Sequence, residues 1–193
     1  MYPSPNFKIN ACMKTLFKNV VMSSVMILLL CSFNPIATKY TVYIFFSPDC
    51  PMCIKYVYTL NQLNKDYKKY GVNMIAACSN YFTPTSAIAQ FKLKHNPNFT
   101  LLHDKGAVLA QKFKATITPE VVVVDKKEQV LYRGLVDNWF YTPGKYRQVT
   151  TEFYLKDALD SLIANKEVRI KTTNAIGCYL LPDENYKPEK FRK

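Results

Sequence analysis

The chain has 193 residues, 49% of them apolar, with five glycines and a formal net charge of +12 from 26 basic and 14 acidic side chains. The apolar fraction belongs to a folded domain and excludes a disordered or collagen-like chain. The length suits one domain with a short appendage. Six cysteines are too dilute for a small disulfide-stapled scaffold.

Residues 1–37 stand apart. Their only charges, Lys8, Lys14 and Lys18, precede an apolar run from Val20 to Leu30 that is broken by Ser23 and Ser24 and extends weakly to Ala37. A positive segment followed by an apolar one is the pattern of a secretory signal, and about 18 apolar residues just span a bilayer. The expectation is a signal peptide or an N-terminal membrane anchor, with a buried helix of the domain as the alternative. Lysines ahead of the run keep that end cytoplasmic and send the rest outward. An exported, periplasmic or membrane-anchored location follows, with membrane contact only through this segment. Setting aside these residues and their three lysines leaves +9. The remaining charges are scattered (Lys65, Lys68, Lys92, Lys94, Lys112, Lys114) without an aromatic-interleaved patch, which argues against nucleic acid. One domain is expected over residues 38–181, and residues 182–193 read as a charged flexible tail.

Within the domain, strands and helices alternate. Thr41–Phe46 is too continuously apolar for a half-exposed strand and reads as a buried central one. A helix is expected from Pro51, where a missing N–H costs nothing, to about Tyr70, stopped by Gly71. A buried strand over Val72–Cys78 follows, then a helix capped by Thr83-Pro84 with Ile88 and Phe91 inward. Next come a short strand over Phe99–Leu102 and a helix capped by Asp104 that runs to about Phe113. Thr118-Pro119 leads into a strand over Val121–Val124, then a hairpin turns at 125–128 and returns through Gln129–Arg133. Residues 134–148 read as a loop. Leu155, Ala158, Leu159, Leu162 and Ile163 mark a final amphipathic helix. This order predicts an α/β fold, a mostly parallel sheet with helices on both faces.

Cys50-Pro51-Met52-Cys53 lies where a buried strand hands over to a helix. Helix N-terminal amides and the macrodipole favour a thiolate at Cys50, and Cys53, one turn on, is within disulfide reach. Cys50 therefore reads as the attacking sulfur and Cys53 as the resolving one. Other readings of the pair are half of a zinc site, a static structural disulfide or two core thiols. No second Cys/His pair at ligand spacing supports the zinc reading, and a CxxC beside a βαβ pattern reads as a redox motif. No metal or organic cofactor is implied.

Phe45–Cys53 resembles the motif strand and active-site helix of the thioredoxin-like superfamily, in particular its redoxin and thiol-disulfide reductase branch. Thr118-Pro119 ahead of a valine strand resembles that family's cis-proline segment. Tyr132-Arg133-Gly134, Asp137-Asn138 and Gly177-Cys178 resemble the C-terminal part of bacterial exported redoxin-like proteins. The resemblance implies a thioredoxin-like mixed sheet flanked by helices. It also implies one strand–helix insertion before the cis-proline, which Phe99–Phe113 can supply. It further implies Thr118, Pro119 and Pro51 as substrate-binding residues, with substrate aligned as an added strand. Partners would be protein or small-thiol disulfides and a redox partner that recharges the pair.

Two departures stand out: Asp49 replaces the usual Trp before the first cysteine, and the motif strand lacks the buried acid that often relays protons. Glu120 is the nearest candidate for that relay, its other reading being an exposed charge at a strand start. The leading expectation is a thiol-disulfide oxidoreductase. One alternative is a thiol peroxidase, which Ser47 three residues before Cys50 favours and Tyr43, in place of a proline, disfavours. The other is a non-catalytic binding module with a structural disulfide. Copper delivery would need a histidine beside the cysteines, and His95 and His103 are the only two. Cys78 reads as a packed core thiol. Cys178 reads as a half-buried free cysteine, a third redox thiol or a partner of Cys78. Cys12 and Cys31 fall in the targeting segment.

Overall fold

The computed structural model describes residues 37–183. The expectations for residues 1–37 and 182–193 therefore fall outside the described residues, apart from Ala37, Pro182 and Asp183. β1 (Tyr40–Phe46), a run of β-branched and aromatic residues, is the central strand of a five-stranded sheet. It pairs in parallel with β2 (Val72–Cys78), which pairs in parallel with β3 (Thr100–His103). On its other side it pairs antiparallel with β5 (Glu120–Asp125), followed by antiparallel β6 (Val130–Gly134). The order β3-β2-β1-β5-β6 is thus mixed, with β1, β2 and β3 parallel and the β1–β5 and β5–β6 pairs antiparallel.

Strand alternation divides the core in two. Val42, Ile44 and Phe46 face one side with Met74, Ala76, Cys78, Val121 and Val123. Against that side pack helices α1 (Pro51–Lys68), α2 (Thr85–His95) and α4 (Tyr154–Ile163), through residues such as Tyr56, Leu60, Phe91, Leu155 and Leu159. Phe45, Ala77, Val122 and Val124 face the other side, covered by Ala110 and Phe113 of the short helix α3 (Val108–Phe113). Among the described residues, no helix is long and apolar enough to cross a membrane.

Most expected elements are present, with instructive shifts. Helix α1 ends at Lys68, and Gly71, at φ +80, turns the chain so that its carbonyl accepts the amides of Lys39 and Tyr40. A Cβ there would lie 2.6 Å from the Ala37 carbonyl oxygen. The helix expected to follow directly on its cap Asp104 begins instead at Val108, because Gly106 and Ala107 take positive φ. Asp104 still serves it from a distance, its carboxylate accepting the amides of Leu109 and Ala110 and the hydroxyl of Ser79. Thr83 does not cap α2, whose N-cap is Pro84 without a side-chain bond. Residues 134–148 are not all loop: β7 (Phe140–Thr142) and β8 (Lys145–Tyr146) form a hairpin. Phe140 is buried against Tyr56, and Trp139 meets the same ring edge-on.

Two short strands, β4 (Ile117–Thr118) and β9 (Cys178–Tyr179), form a separate antiparallel pair. The Thr118-Pro119 peptide is cis, and the chain passes through it from β4 into β5. The strand–helix unit over Thr100–Phe113 precedes it, as expected.

Leu60 is fully buried on the inner face of α1. Replacing a buried leucine by alanine loses transfer free energy and leaves a cavity, at about 2–5 kcal/mol. Leu60→Ala should lower the free energy of unfolding by that amount in a urea titration, with little change in its denaturant slope.

Candidate active site

Cys50 is the N-cap of α1, with extended backbone at φ −81 and ψ 117. Its amide donates to the Ser47 carbonyl, closing the turn after β1, and its own carbonyl accepts the Ile54 amide, starting the helix. Pro51 fills the first helical position and is exposed. Asp49 is also exposed and does not cap the helix. The strand-to-helix junction therefore delivers Cys50 and Cys53 to the same place, where both are buried, Cys53 completely.

The two thiols are differentiated by their surroundings. Cys50 is lowered from 9.0 to about 5, first by its hydrogen bond with the Cys53 side chain, then by Cys178 and by the amides of Cys53 and Met52, against an opposing effect of burial. Cys53 is pushed well above 9.0, chiefly by complete burial and then by the adjacent Cys50 sulfur. Its sulfur accepts the Ser47 amide at 3.5 Å. One thiol is thus a thiolate at neutral pH and the other is held protonated beside it, the asymmetry that nucleophilic exchange needs.

The cis-proline segment closes the site. As a thiol, Cys50 donates to the Thr118 carbonyl at 3.4 Å. Thr118 is fully buried, and its hydroxyl oxygen makes no regular hydrogen bond. That hydroxyl lies toward Cys53, where it favours the thiolate form. Cys50, Cys53, Thr118 and Pro119 therefore come together. Thr118 and Pro119 are both buried, however, and only Pro51 is exposed among the expected substrate-binding residues.

The Thr118 edge is not open for an added strand. The chain's own β9 pairs there, with Cys178 in register opposite Thr118. The Cys178 sulfur lies 2.6 Å from that of Cys50. Its own thiol is pushed up to about 12, by burial and by the neighbouring Cys50. Of the three readings of Cys178, pairing with Cys78 is not what the structure brings together: the sulfur it meets is that of Cys50, and Cys78 is fully buried within β2, its thiol pushed up to about 12 by burial and by Asp104.

Glu120 does not join this group. Strand alternation places it with Val122 and Val124, on the face of the sheet opposite Cys53. It is not an exposed charge either: it is buried and accepts two bonds from Arg133, at 2.8 and 3.2 Å. Arg133 also donates to the Phe113 carbonyl. A buried carboxylate does lie on the Cys53 side of the sheet, at Asp137. It accepts the Tyr56 hydroxyl at 2.6 Å and the Trp139 amide at 2.8 Å, and burial raises its pKa. Neither histidine adjoins the pair: His95 stacks on Phe91, and His103 bonds Thr85. Among the described residues, no group of three or more His, Cys, Asp or Glu could hold a metal ion.

With a pKa near 5, Cys50 should titrate well below an ordinary thiol. Thiolate absorbance of the reduced protein should rise through pH about 5 and stay flat to neutrality, and Cys50→Ser should abolish that step. A first thiolate step near 9.0 would contradict the geometry.

The Redoxin family model matches residues 34–148. No significant match occurs among the curated proteins. Among solved structures, a hypothetical protein from Sinorhizobium meliloti is 22% identical, with a TM-score of 0.68 over 77% of this chain and 82% of that one. An uncharacterized conserved protein from Geobacillus kaustophilus is 24% identical, with a TM-score of 0.67 over 80% and 81%. These likenesses concern the fold alone, a mixed sheet flanked by helices.

Proposed function

Since the chain belongs to the Redoxin family, we propose that it is a thiol-disulfide oxidoreductase acting in an exported compartment. The observation that carries this reading is the pairing of a low-pKa Cys50 at a helix N-terminus with a buried, protonated Cys53 one turn on. The basic, then apolar pattern of residues 1–37 supports export.

In the reducing direction, the Cys50 thiolate attacks one sulfur of a substrate disulfide. The substrate S–S bond breaks, one thiol leaves with a proton from solvent, and Cys50 is left in a mixed disulfide. That bond removes the negative charge that had helped to raise Cys53. The Cys53 thiol can then ionise more readily, with the Ser47 amide and the Thr118 hydroxyl favouring its thiolate. Cys53 attacks Cys50, releases the second substrate thiol and leaves a Cys50–Cys53 disulfide. Two electrons pass from the protein to the substrate, and an external dithiol returns them. The same steps in reverse oxidise a substrate dithiol.

A static disulfide and a catalytic one differ in potential. Structural bonds in secreted proteins sit below about −300 mV and resist glutathione, whereas catalytic ones lie higher. Equilibrated in glutathione buffers, the wild-type Cys50–Cys53 couple should give a potential above that value. Cys50→Ser should reduce a model protein disulfide, with dithiothreitol supplied, no faster than the uncatalysed rate. A potential below about −300 mV, or full activity in Cys50→Ser, would overturn the reading.

A further inference from the structure

Cys178 is 128 residues from Cys50 in sequence, yet their sulfurs are 2.6 Å apart. A disulfide bond is about 2.0 Å long, so a shift of a fraction of an ångström would join them. We propose that Cys178 is a third redox-active thiol of the site, forming with Cys50 a disulfide that alternates with Cys50–Cys53, and that β9 presents it in the position of a substrate cysteine. This rests on Cys50 being the nucleophile.

The backbone around Cys178 holds it there. Its register partner is Thr118, whose carbonyl is the one that Cys50 contacts. The added substrate strand that the family resemblance implies would pair with this same edge. Gly177 permits the approach, since a Cβ there would lie 2.1 Å from the Thr118 carbonyl oxygen. Beyond it, the Leu180 amide donates to the Thr116 carbonyl at 2.9 Å, and the Leu180 side chain is fully buried. Leu181 is held at both its backbone groups, donating to Asn80 Oδ1 at 2.8 Å and accepting the Tyr81 amide at 2.7 Å. The strap is therefore a packed part of the domain.

Exposure gives Cys178 its role. Cys50 is 2% exposed and Cys53 is 0%, whereas Cys178 is only half-buried. Of the three thiols it is the one nearest to solvent. In the reduced site its S–H, held protonated, can donate to the Cys50 thiolate.

The exchange balances without a further reagent. Once Cys50 carries a substrate sulfur, Cys178 attacks the Cys50 sulfur. The Cys50–substrate bond breaks, and the departing thiolate takes up the proton that Cys178 gave up. Cys53 can then attack Cys50 and expel Cys178, which is reprotonated as Cys53 loses its proton. That second step moves the disulfide within the protein and transfers no net electrons. A dithiol reductant restores the site from either disulfide. With two resolving thiols in reach of Cys50, removing Cys53 alone does not trap a mixed disulfide.

The experiment is disulfide mapping by mass spectrometry after treatment with glutathione disulfide. Cys53→Ser should yield a Cys50–Cys178 linked peptide as its main product, and Cys53→Ser/Cys178→Ser should accumulate glutathione on Cys50. A stable glutathione adduct on Cys50 in the single variant would overturn the role of Cys178 while leaving Cys50 as nucleophile. No modification of Cys50 in either variant would overturn both readings. Wild-type protein mapped across a series of glutathione potentials gives a check independent of the folding of either variant. Both linkages should appear, and absence of the Cys50–Cys178 peptide at every potential would sink the proposal.

Discussion

The Cys50 sulfur sits at the N-terminus of α1, pressed between the helix amides, the Cys53 thiol and the carbonyl of Thr118. Three separate pieces of backbone must meet to make this environment. The end of β1 supplies the turn, α1 supplies the donors, and the cis Thr118-Pro119 segment closes the far side. A thiolate in so buried a place survives only because hydrogen-bond donors outweigh the desolvation that opposes it. The same burial, applied to Cys53 without comparable donors, drives that thiol the other way.

The rest of the fold serves this junction. β1 is gripped on both sides by β2 and β5, so the turn at Ser47 has little freedom to move. Phe46 packs against Phe91 and Phe99 just before that turn. Tyr56 anchors the next turn of α1 to Asp137, which ties the helix to the segment leading into β7. On the opposite face, the Glu120–Arg133 pair holds the start of β5, directly after the cis peptide. An ion pair there positions backbone next to the site without taking part in its chemistry, because the sheet lies between the carboxylate and Cys53.

Several features were legible from the residues alone because their signals are local. The unbroken apolar run of β1 marks a strand covered on both faces, and the stripe from Leu155 to Leu162 marks a helix with one buried side. The CxxC at a strand-to-helix handover marks Cys50 as the helix N-cap thiol, the one whose pKa is lowered to about 5. Local signals failed where side chains act at a distance. Asp104 caps α3 from across a 3-10 turn rather than from the adjoining residue. The hairpin within residues 134–148 is held by Phe140 and Trp139 against Tyr56, a contact between segments far apart in sequence.

Length, composition and cysteine spacing by themselves determined an α/β fold with Cys50 and Cys53 one turn apart at a strand-to-helix junction, since strand periodicity and helix-end electrostatics are encoded over a few residues. Tertiary structure alone decided which other groups reach that pair. It sent Glu120 to the wrong face through the two-residue period of a strand. It brought Cys178 onto Cys50 through the pairing of β4 with β9, which spans most of the domain and leaves no trace in local sequence. Six cysteines in the composition thus become, among the described residues, one packed thiol in β2 and three that share a single site.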